Sequence, residues 1–306
     1  MDPFLDLIRL LRPTAMLTAG LYATGRWGVS FRQRDDVLFC WVESGECLLV
    51  RADAAPLRLQ AGDFVLVRTT TPFVLTSDSS VAPEDSETIV AATQDPVLRL
   101  DGGVGASTGL RGGRFVFDTT NEQLLTGLLP SLVHVSRDDS SSWRVQSLLK
   151  LNETESAVPG PGSDFIVTRL VEVILVELLR QEALRVDREQ TGLLAGLGDP
   201  VTSRALSAMH GDVAHAWTVA SLARSCNVSR STFAAHFRKV VGVGPIDYLL
   251  RWRMTLAKDE LRRGVRSSGE IAFAIGFQSS SAFSTAFTKA TGCSPREYLR
   301  RVDQFS

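Results

Sequence analysis

The sequence predicts an α+β protein of two domains, a β-rich N-terminal domain and an all-α C-terminal domain. Short apolar segments separated by turn signals fill the first 120 residues, which is typical of a β-sandwich or a small barrel. After residue 120 the apolar positions recur with helical spacing, and the C-terminal part contains two similar segments. We place the domains at residues 1–190 and 191–306, with the polar stretch Asp187–Thr191 as the linker.

A hairpin is predicted near the start of the β-rich domain. The apolar segments Val37–Val42 and Cys47–Val50 flank Glu43–Glu46, whose Ser-Gly pair suits a tight turn. In such a hairpin Cys40 and Cys47 would be diagonal neighbours on one face. Buried thiols are the ordinary interpretation of such a pair, and a redox switch is the alternative.

The rest of the N-terminal domain is predicted as one more strand followed by helices. Glycines crowd residues 99–113 and predict a loop, and Arg114–Phe117 predicts a strand. The helix candidates are Leu124–Leu129, Trp143–Leu151 and Phe165–Leu184. Most of the circumference of Phe165–Leu184 is apolar, so this helix needs cover on more than one side. It is a core helix, a dimer interface, or both.

The charge of the chain is distributed unevenly. The formal net charge is −1, but residues 199–306 contain 15 Lys and Arg against 8 Asp and Glu, whereas residues 1–198 contain 18 against 26. A basic half of this kind favours a polyanionic partner such as DNA. The start of the chain lacks an export pattern, the apolar run Phe165–Leu179 is interrupted by charges, and four cysteines make no disulfide framework. We therefore expect a cytoplasmic protein.

The two similar C-terminal segments are an internal repeat. Eight identical residues recur fifty positions apart and in the same order, which chance would rarely produce. The first copy holds Phe233, Phe237, Lys239, Gly242, Pro245, Tyr248, Leu249 and Arg251, and the second holds Phe283, Phe287, Lys289, Gly292, Pro295, Tyr298, Leu299 and Arg301.

Each copy of the repeat predicts a helix, a tight turn and a second helix. In the first copy Thr218 caps a helix that ends at Cys226, and Ser229 caps a helix that ends before Gly242. The second copy predicts helices over Glu270–Ile275 and Ser280–Ala290. The two phenylalanines of each second helix are four residues apart, so they share its inner face.

Between the copies, Ile246–Arg263 predicts one helix of about 27 Å, comparable with a DNA turn of about 34 Å. Two second helices at this spacing suit successive major-groove segments on one face of a duplex. The cations predicted to meet phosphates are Arg251, Arg253, Lys258, Arg262 and Arg263.

At these residues the chain resembles the AraC/XylS family of transcription regulators. The second copy resembles the family signature through Gly276-Phe277, Phe283-Ser284, Phe287-Thr288-Lys289, Gly292-Cys293-Ser294-Pro295 and Tyr298, and the first copy through Trp217-Thr218-Val219, Ser229-Arg230-Ser231, Phe237-Arg238 and Arg251-Trp252-Arg253-Met254. The resemblance covers about 100 residues. It implies promoter binding by the C-terminal domain and contact with RNA polymerase if the protein is an activator.

The N-terminal domain resembles, more loosely, the cupin-like barrels of many such regulators, with flanking helices. The matching residues are Gly45-Glu46-Cys47, Leu59–Phe64 and Pro72-Phe73. The resemblance implies that this domain senses a small-molecule effector or forms a homodimer, for which Phe165–Leu184 is the candidate helix.

Carried over residue by residue, the resemblance places the base-reading positions on the two second helices. These are Arg230, Ser231, Ala234 and Ala235 in the first copy, and Ser280, Ser281, Ser284 and Thr285 in the second. Arg238, Lys239, Thr288 and Lys289 extend the same faces. Because Ala234 and Ala235 offer only methyl groups, we expect the first copy to act through its cations and through DNA shape.

No catalytic, cofactor or metal site is predicted. His134 is the single histidine before residue 199 and is predicted to lie past the strands, whereas Cys40 and Phe73 stand where a metal-binding cupin would have histidines. His210, His215 and His236 are interpreted as partly exposed structural residues, with a phosphate contact as the alternative for His236. Three functions stay open: a ligand-responsive regulator, a regulator controlled by a partner protein or thiol oxidation, and a cupin enzyme with a DNA-binding appendage.

Overall fold

The computed structural model describes residues 2–18, 20–34, 36–92, 97–117, 131–139, 143–184 and 191–303, which belong to two compact units. The β unit holds Pro13–Phe117 and Leu129–Leu178. Of the described residues, the helical unit holds 2–12, 179–184 and 191–303. The first residues of the chain therefore belong to the same unit as the last.

The β unit is built from two sheets. Its strands are β1 Thr14–Leu17, β2 Gly20–Gly25, β3 Gly28–Phe31, β4 Val37–Ser44, β5 Glu46–Arg51, β6 Ala54–Gln60, β7 Phe64–Arg68, β8 Phe73–Thr76, β9 Glu84–Asp85, β10 Val97–Gly102, β11 Ser107–Val116 and β12 Leu132–Val135. The seven-stranded sheet has the order β10-β2-β11-β4-β7-β12, with β1 also paired to β11. The five-stranded sheet has the order β6-β5-β8-β3-β9.

The two sheets enclose an apolar core, as the alternation of apolar residues predicted. Val42 and Val65 from the larger sheet and Leu49 and Leu75 from the smaller one belong to the same buried cluster. Successive strand residues point to opposite faces of a sheet. The alternate positions of β4 and β7 accordingly point to the other face of the larger sheet and form an aromatic cluster there, in which the rings of Phe39 and Phe64 lie 6.4 Å apart.

The predicted hairpin is wrong, although both of its strands exist. β4 pairs with β7 and β11 in the larger sheet, whereas β5 pairs with β6 and β8 in the smaller one. Gly45 joins them with a φ of 71°, and a Cβ there would lie 2.1 Å from the Ser107 carbonyl oxygen. The chain therefore turns a corner between sheets at Gly45. Cys40 and Cys47 are not hairpin neighbours, but both pack in the core between the sheets.

The loop predicted for the glycine-rich stretch is also wrong, because β10 and β11 occupy most of it. β11 pairs with β1, β2 and β4. A Cβ on Gly112 would lie 2.4 Å from the Phe39 carbonyl oxygen, and one on Gly113 would lie 2.1 Å from that of Met16. These glycines admit close neighbouring backbones and do not mark a loop.

The helices of the β unit are α2 Ser86–Ala92, α3 Trp143–Ala157 and α4 Ser163–Leu184, whose last turns pass into the helical unit. α3 and α4 confirm two predicted helices, whereas Leu124–Leu129 and most of the predicted linker lie outside the described residues. α4 buries Val171, Ile174 and Leu175 completely, as a core helix does. Within the described part of the chain, no helix has the length and apolar character needed to cross a membrane.

The helical unit combines one N-terminal helix with the C-terminal helices. They are α1 Pro3–Leu11, α5 Leu193–Gly198, α6 Pro200–Gly211, α7 Val219–Ser225, α8 Arg230–Val241, α9 Pro245–Arg263, α10 Ser268–Ala274, α11 Ser280–Thr291 and α12 Pro295–Asp303. The long helix predicted between the repeats is α9, one residue longer than expected at its start. Asp2 caps α1 by accepting a hydrogen bond from the Phe4 amide at 2.9 Å, and Arg12 ends it with a φ of 40°.

Candidate nucleic-acid interface

The first helix-turn-helix consists of α7 and α8, and its boundaries follow from local capping. The Thr218 and Ser221 side chains satisfy each other's backbone amides in a capping box. Asn227 makes the turn with a φ of 57°. Ser229 then caps α8 by accepting from the Thr232 amide, and Gly242 ends α8 with a φ of 86°. The predicted caps and the predicted stop are confirmed.

The second helix-turn-helix, α10 and α11, uses the same devices. Ser267 and Glu270 form its capping box, and Gly276 makes the turn with a φ of 88°. Ser279 caps α11, and Gly292 ends it with a φ of 78°. The turn glycine is tightly placed, because a Cβ on Gly276 would lie 2.5 Å from the Ala214 carbonyl oxygen.

The predicted phenylalanines anchor both second helices from behind. Phe233, Phe237, Phe283 and Phe287 are all completely buried. The ring of Phe237 meets Tyr248 edge-on at 6.0 Å, and that of Phe287 meets Tyr298 edge-on at 5.5 Å. The repeat seen in the sequence is therefore a repeat in three dimensions. It places the opposite faces of α8 and α11 at the surface.

The predicted base-reading residues lie on these outward faces. The exposed ones are Arg230, Ser231, Ala235, Arg238 and Lys239 on α8, and Ser280, Ser281, Thr285, Thr288 and Lys289 on α11. Ala234 and Ser284 are half-buried at equivalent positions. Both faces carry small side chains, which let a helix approach base edges closely.

The hydroxyl groups of α11 differ in what they can still donate. Thr285 donates to the Ser281 carbonyl oxygen at 3.0 Å, and Thr288 donates to that of Ser284 at 2.8 Å. These threonines therefore present a methyl group and an acceptor. Among the described residues, the hydroxyls of Ser280 and Ser284 have no hydrogen-bond partner and can donate to or accept from a base.

Part of the predicted phosphate-binding set has other partners. The Arg253 guanidinium donates to the Val213 carbonyl oxygen at 2.9 and 2.7 Å and to that of His215 at 2.8 Å. It therefore fastens the α6–α7 loop to α9, and burial lowers its pKa. Arg263 bonds Asp259 at 2.8 Å, and burial lowers the pKa of Lys258. Of the predicted set, Arg251 and Arg263 are exposed and Arg262 is half-buried.

The histidines of the helical unit have structural partners. His210 is buried, contrary to the prediction of partial exposure, and its Nε2 lies 2.8 Å from the Tyr248 hydroxyl. Burial lowers the pKa of His210 to about 4, although the Asp6 carboxylate, 3.3 Å from Nδ1, acts in the opposite direction. His236 Nε2 lies 3.0 Å from Asp199, the residue that caps α6. Sequence spacing gives no sign of the Asp6–His210 contact.

The β unit has few groups suited to catalysis or metal binding. His134 lies on β12, not past the strands as predicted, and its Nε2 is 3.1 Å from Asp63. Burial raises the pKa of Cys47 to about 12 and also raises the pKa of Cys40. Phe73 stacks on Phe31 with ring centroids 4.5 Å apart. In the described ranges no group of three or more His, Cys, Asp or Glu side chains is placed to hold a metal ion.

Comparison with known proteins assigns both halves of the chain. A family model described as cupin matches residues 2–183, and one described as helix-turn-helix domain matches residues 222–301. An AraC-like transcription regulator of Streptomyces antibioticus is 39% identical over 98% of this chain and 99% of its own length. One of Streptomyces lividans is 40% identical over 98% of each chain.

A solved structure of the DNA-binding domain of AdpA, a global transcriptional factor in complex with a target DNA, is 29% identical. The match covers 34% of this chain and 92% of that one, with a TM-score of 0.32. The two full-length relatives are named as transcription regulators, not as enzymes. On their identity and coverage, the chain belongs to the AraC family of DNA-binding transcription regulators, with a cupin N-terminal region.

Proposed function

We propose that the protein binds promoter DNA with α8 and α11 as paired recognition helices, and that residues 191–306 form the DNA-binding domain. The matched construction of the two helix-turn-helix units carries this proposal. Each second helix is fixed from behind by two buried phenylalanines and turns a face of small side chains to solvent. A helix of this kind fits the major groove.

We assign different roles to the two recognition helices. α8 presents Arg230, Arg238 and Lys239, which suit phosphate contacts, while Ala235 allows at most a methyl contact. α11 presents Ser280 and Ser284, whose hydroxyls are free to meet base edges. Sequence preference is therefore expected to come mainly from α11, and α8 is expected to supply affinity.

The test selects duplexes from a random library with the wild-type protein and then measures variants on the best one. Ser284→Ala should weaken binding by roughly 1 kcal/mol, about fivefold, and relax preference at one base position. Ser79→Ala, an exposed serine of the β unit, is the matched control and should bind like the wild type. Unchanged affinity and sequence preference in Ser280→Ala, Ser284→Ala and their double variant would contradict the proposal that sequence preference comes mainly from α11.

We further propose that the β unit responds to a small molecule. Trp27 is 3% exposed within the core between the sheets, and among the described residues its indole Nε1 has no hydrogen-bond partner. A buried donor without a partner is costly, so a ligand carrying an acceptor would be favoured there. The raised pKa values of Cys40 and Cys47 disfavour the thiolates that a redox switch requires.

The effector proposal is tested by thermal unfolding with fractionated small-molecule pools. A fraction that binds the folded protein raises the melting temperature of the wild type. Trp27→Phe keeps the ring and removes the donor, so it should lose that response. A DNA affinity that instead changes with mild peroxide, and no longer does so in Cys40→Ser, would favour control by thiol oxidation.

We also propose a homodimer through α4. Phe165, Ile166 and Val173 expose 66%, 41% and 49% of their surface on a helix whose other described apolar residues are buried or half-buried. Sedimentation equilibrium tests the proposal: Val173→Glu should shift the wild-type dimer toward monomer. Val90→Glu changes another exposed valine of the β unit, 58% exposed on α2, and should leave the dimer intact. A wild-type protein that is monomeric at micromolar concentration would contradict this proposal.

A further inference from the structure

The N-terminal helix α1 packs within the helical unit, nearly two hundred residues away from its neighbours in sequence. Leu7 and Leu11 are completely buried and Leu10 is 4% exposed, whereas Leu5 is 43% exposed. α1 is therefore amphipathic, and its apolar side is covered. An isolated helix of nine residues would not be stable in water, so α1 depends on this cover.

A buried polar chain ties α1 to two C-terminal helices. The Asp6 carboxylate lies 3.3 Å from His210 Nδ1 on α6, and His210 Nε2 lies 2.8 Å from the Tyr248 hydroxyl on α9. The Asp6 carboxylate can only accept, so the neutral imidazole carries its proton on Nδ1, and the unprotonated Nε2 accepts from the Tyr248 O–H. The imidazole also stacks on Trp252 of α9 at 4.1 Å. All these groups are mutually satisfied.

A second link reaches the far end of α9. Arg12, which ends α1, bonds Asp259 at 2.8 Å, and Arg263 bonds the other oxygen of that carboxylate at 2.8 Å. Asp259 is only 5% exposed, so it needs both cations. Tyr248 lies in the first turn of α9 and Asp259 in one of its last turns. α1 therefore contacts α6 through Asp6 and the far end of α9 through Arg12, and it is linked to the start of α9 through His210.

We propose that α1 is a working part of the DNA-binding machinery: it braces α6 against α9 and so fixes the separation of the two recognition helices. α9 connects α8 to α10 and α11, so a change in its position relative to α6 moves one recognition helix with respect to the other. The proposal rests on the use of both recognition helices on DNA. It predicts that DNA affinity depends on residues at the opposite end of the chain.

The location of these contacts favours a brace over an inhibitor. They fall on α6 and α9, while the outward residues of α8 and α11 remain exposed. A helix that blocked DNA would have to cover those outward residues. Removal of α1 contacts should therefore weaken DNA binding, whereas removal of an inhibitor would strengthen it.

The experiment uses full-length variants and a duplex selected by the wild-type protein. Leu7→Asp places a charge on the covered side of α1 and should raise the Kd about tenfold or more. Leu5→Asp makes the same change on the exposed side and should stay within about twofold. Arg12→Ala, a milder change that keeps the helix, should raise the Kd several-fold. An added peptide of residues 2–13 should restore binding by Leu7→Asp.

Hydrogen exchange of α6 and α9 provides a reading that needs no DNA. Both helices should exchange faster in Leu7→Asp than in Leu5→Asp. If Leu7→Asp does not fold, Arg12→Ala takes its place in the comparison and should show the same difference. Wild-type affinity in Leu7→Asp and Arg12→Ala would overturn the proposal, and tighter binding would show that α1 inhibits. If the wild type selects no duplex, the recognition proposal fails, while the exchange rates still decide whether α1 braces α6 and α9.

Discussion

The His210 imidazole is a base held neutral inside the helical unit. Its neighbours are Asp6, Tyr248 and Trp252, and burial lowers its pKa from 6.5 to about 4. Above pH 6.5 the residue is neutral in both the folded and the unfolded chain. Between pH 6.5 and pH 4 the unfolded chain takes up the proton and the folded one does not, so stability falls as pH falls.

We therefore predict a loss of about 2 kcal/mol in unfolding free energy between pH 7 and pH 5 from His210 alone. Urea unfolding at a series of pH values measures it. His210→Gln should flatten this part of the profile, whereas His215→Gln, which changes an exposed histidine, should keep it. A profile that is equally steep in His210→Gln would assign the acid sensitivity to other groups.

Arg251 and Arg253 are two residues apart on α9 and have different partners. Arg253 holds the carbonyl oxygens of Val213 and His215, and Arg251 is exposed. We predict that Arg253→Met lowers the unfolding free energy by about 2 kcal/mol, because the Val213 and His215 carbonyl oxygens lose a charged donor. Arg251→Met should leave stability unchanged and reduce the slope of log Kd against log salt by about one. If Arg251→Met lowered the stability and Arg253→Met reduced the salt slope, Arg251 would have the structural role and Arg253 would contact phosphate.

Features set within one helix could be predicted from the sequence, whereas contacts between residues far apart in the chain could not. The caps Thr218 and Ser229 and the buried face of Phe233 follow from spacing within one helix, and all three were predictable. The Asp6–His210 contact joins residues 204 positions apart. No local pattern encodes such a contact, because the partner is chosen by how whole helices pack.

Among the elements, strands were easier to predict than their partners. Alternation identifies a strand and its buried face, and it identified most of β4 and β5. It does not say which strand lies alongside, and the corner at Gly45 sends consecutive strands into different sheets. The glycines of β11 were misleading for a related reason, since their role depends on the neighbouring strands and not on the local sequence.

Gly113 gives a test of that role at the level of the sheet. A Cβ there would lie 2.1 Å from the Met16 carbonyl oxygen of β1, so we predict that Gly113→Ala destabilises the protein by about 1–3 kcal/mol. Gly160→Ala is the control, because nothing lies within 4 Å of its added Cβ. Thermal unfolding compares the two. Equal melting temperatures would mean that β1 does not pack closely on β11.

In the molecule as a whole, the two units do not follow the order of the chain. The cupin model begins at residue 2, but α1 belongs to the helical unit, and β1 starts three residues after α1 ends. The β unit is therefore joined covalently to the helical unit before its first strand and again within α4. A domain boundary near residue 191 stays a prediction. It divides the sequence at a single point, whereas the helical unit combines the first residues of the chain with the last.

The net charge of the C-terminal half bears on how the full protein responds to salt. Its excess of 15 basic over 8 acidic residues suggested many phosphate contacts. Arg253 and Arg263 have intramolecular partners, and Lys258 and Arg262 are half-buried, which leaves Arg230, Arg238, Lys239, Arg251 and Lys289 as the exposed cations of the predicted interface without such partners in the described part of the chain. Because each neutralised phosphate releases counterions, five contacts per protomer predict a slope of about −4.5 for log affinity against log salt.

Fluorescence anisotropy with the selected duplex, at salt concentrations from about 50 to about 300 mM, measures this slope. A value near −4.5 per bound protomer would support the five-cation interface, and Lys239→Met should make it shallower by about one. Ser79→Ala should not change it. A slope of about −7 or steeper would require about three phosphate contacts beyond the five exposed cations. That result would show that further cations contact phosphates, as Arg253 and Arg263 would if they left their intramolecular partners when DNA binds.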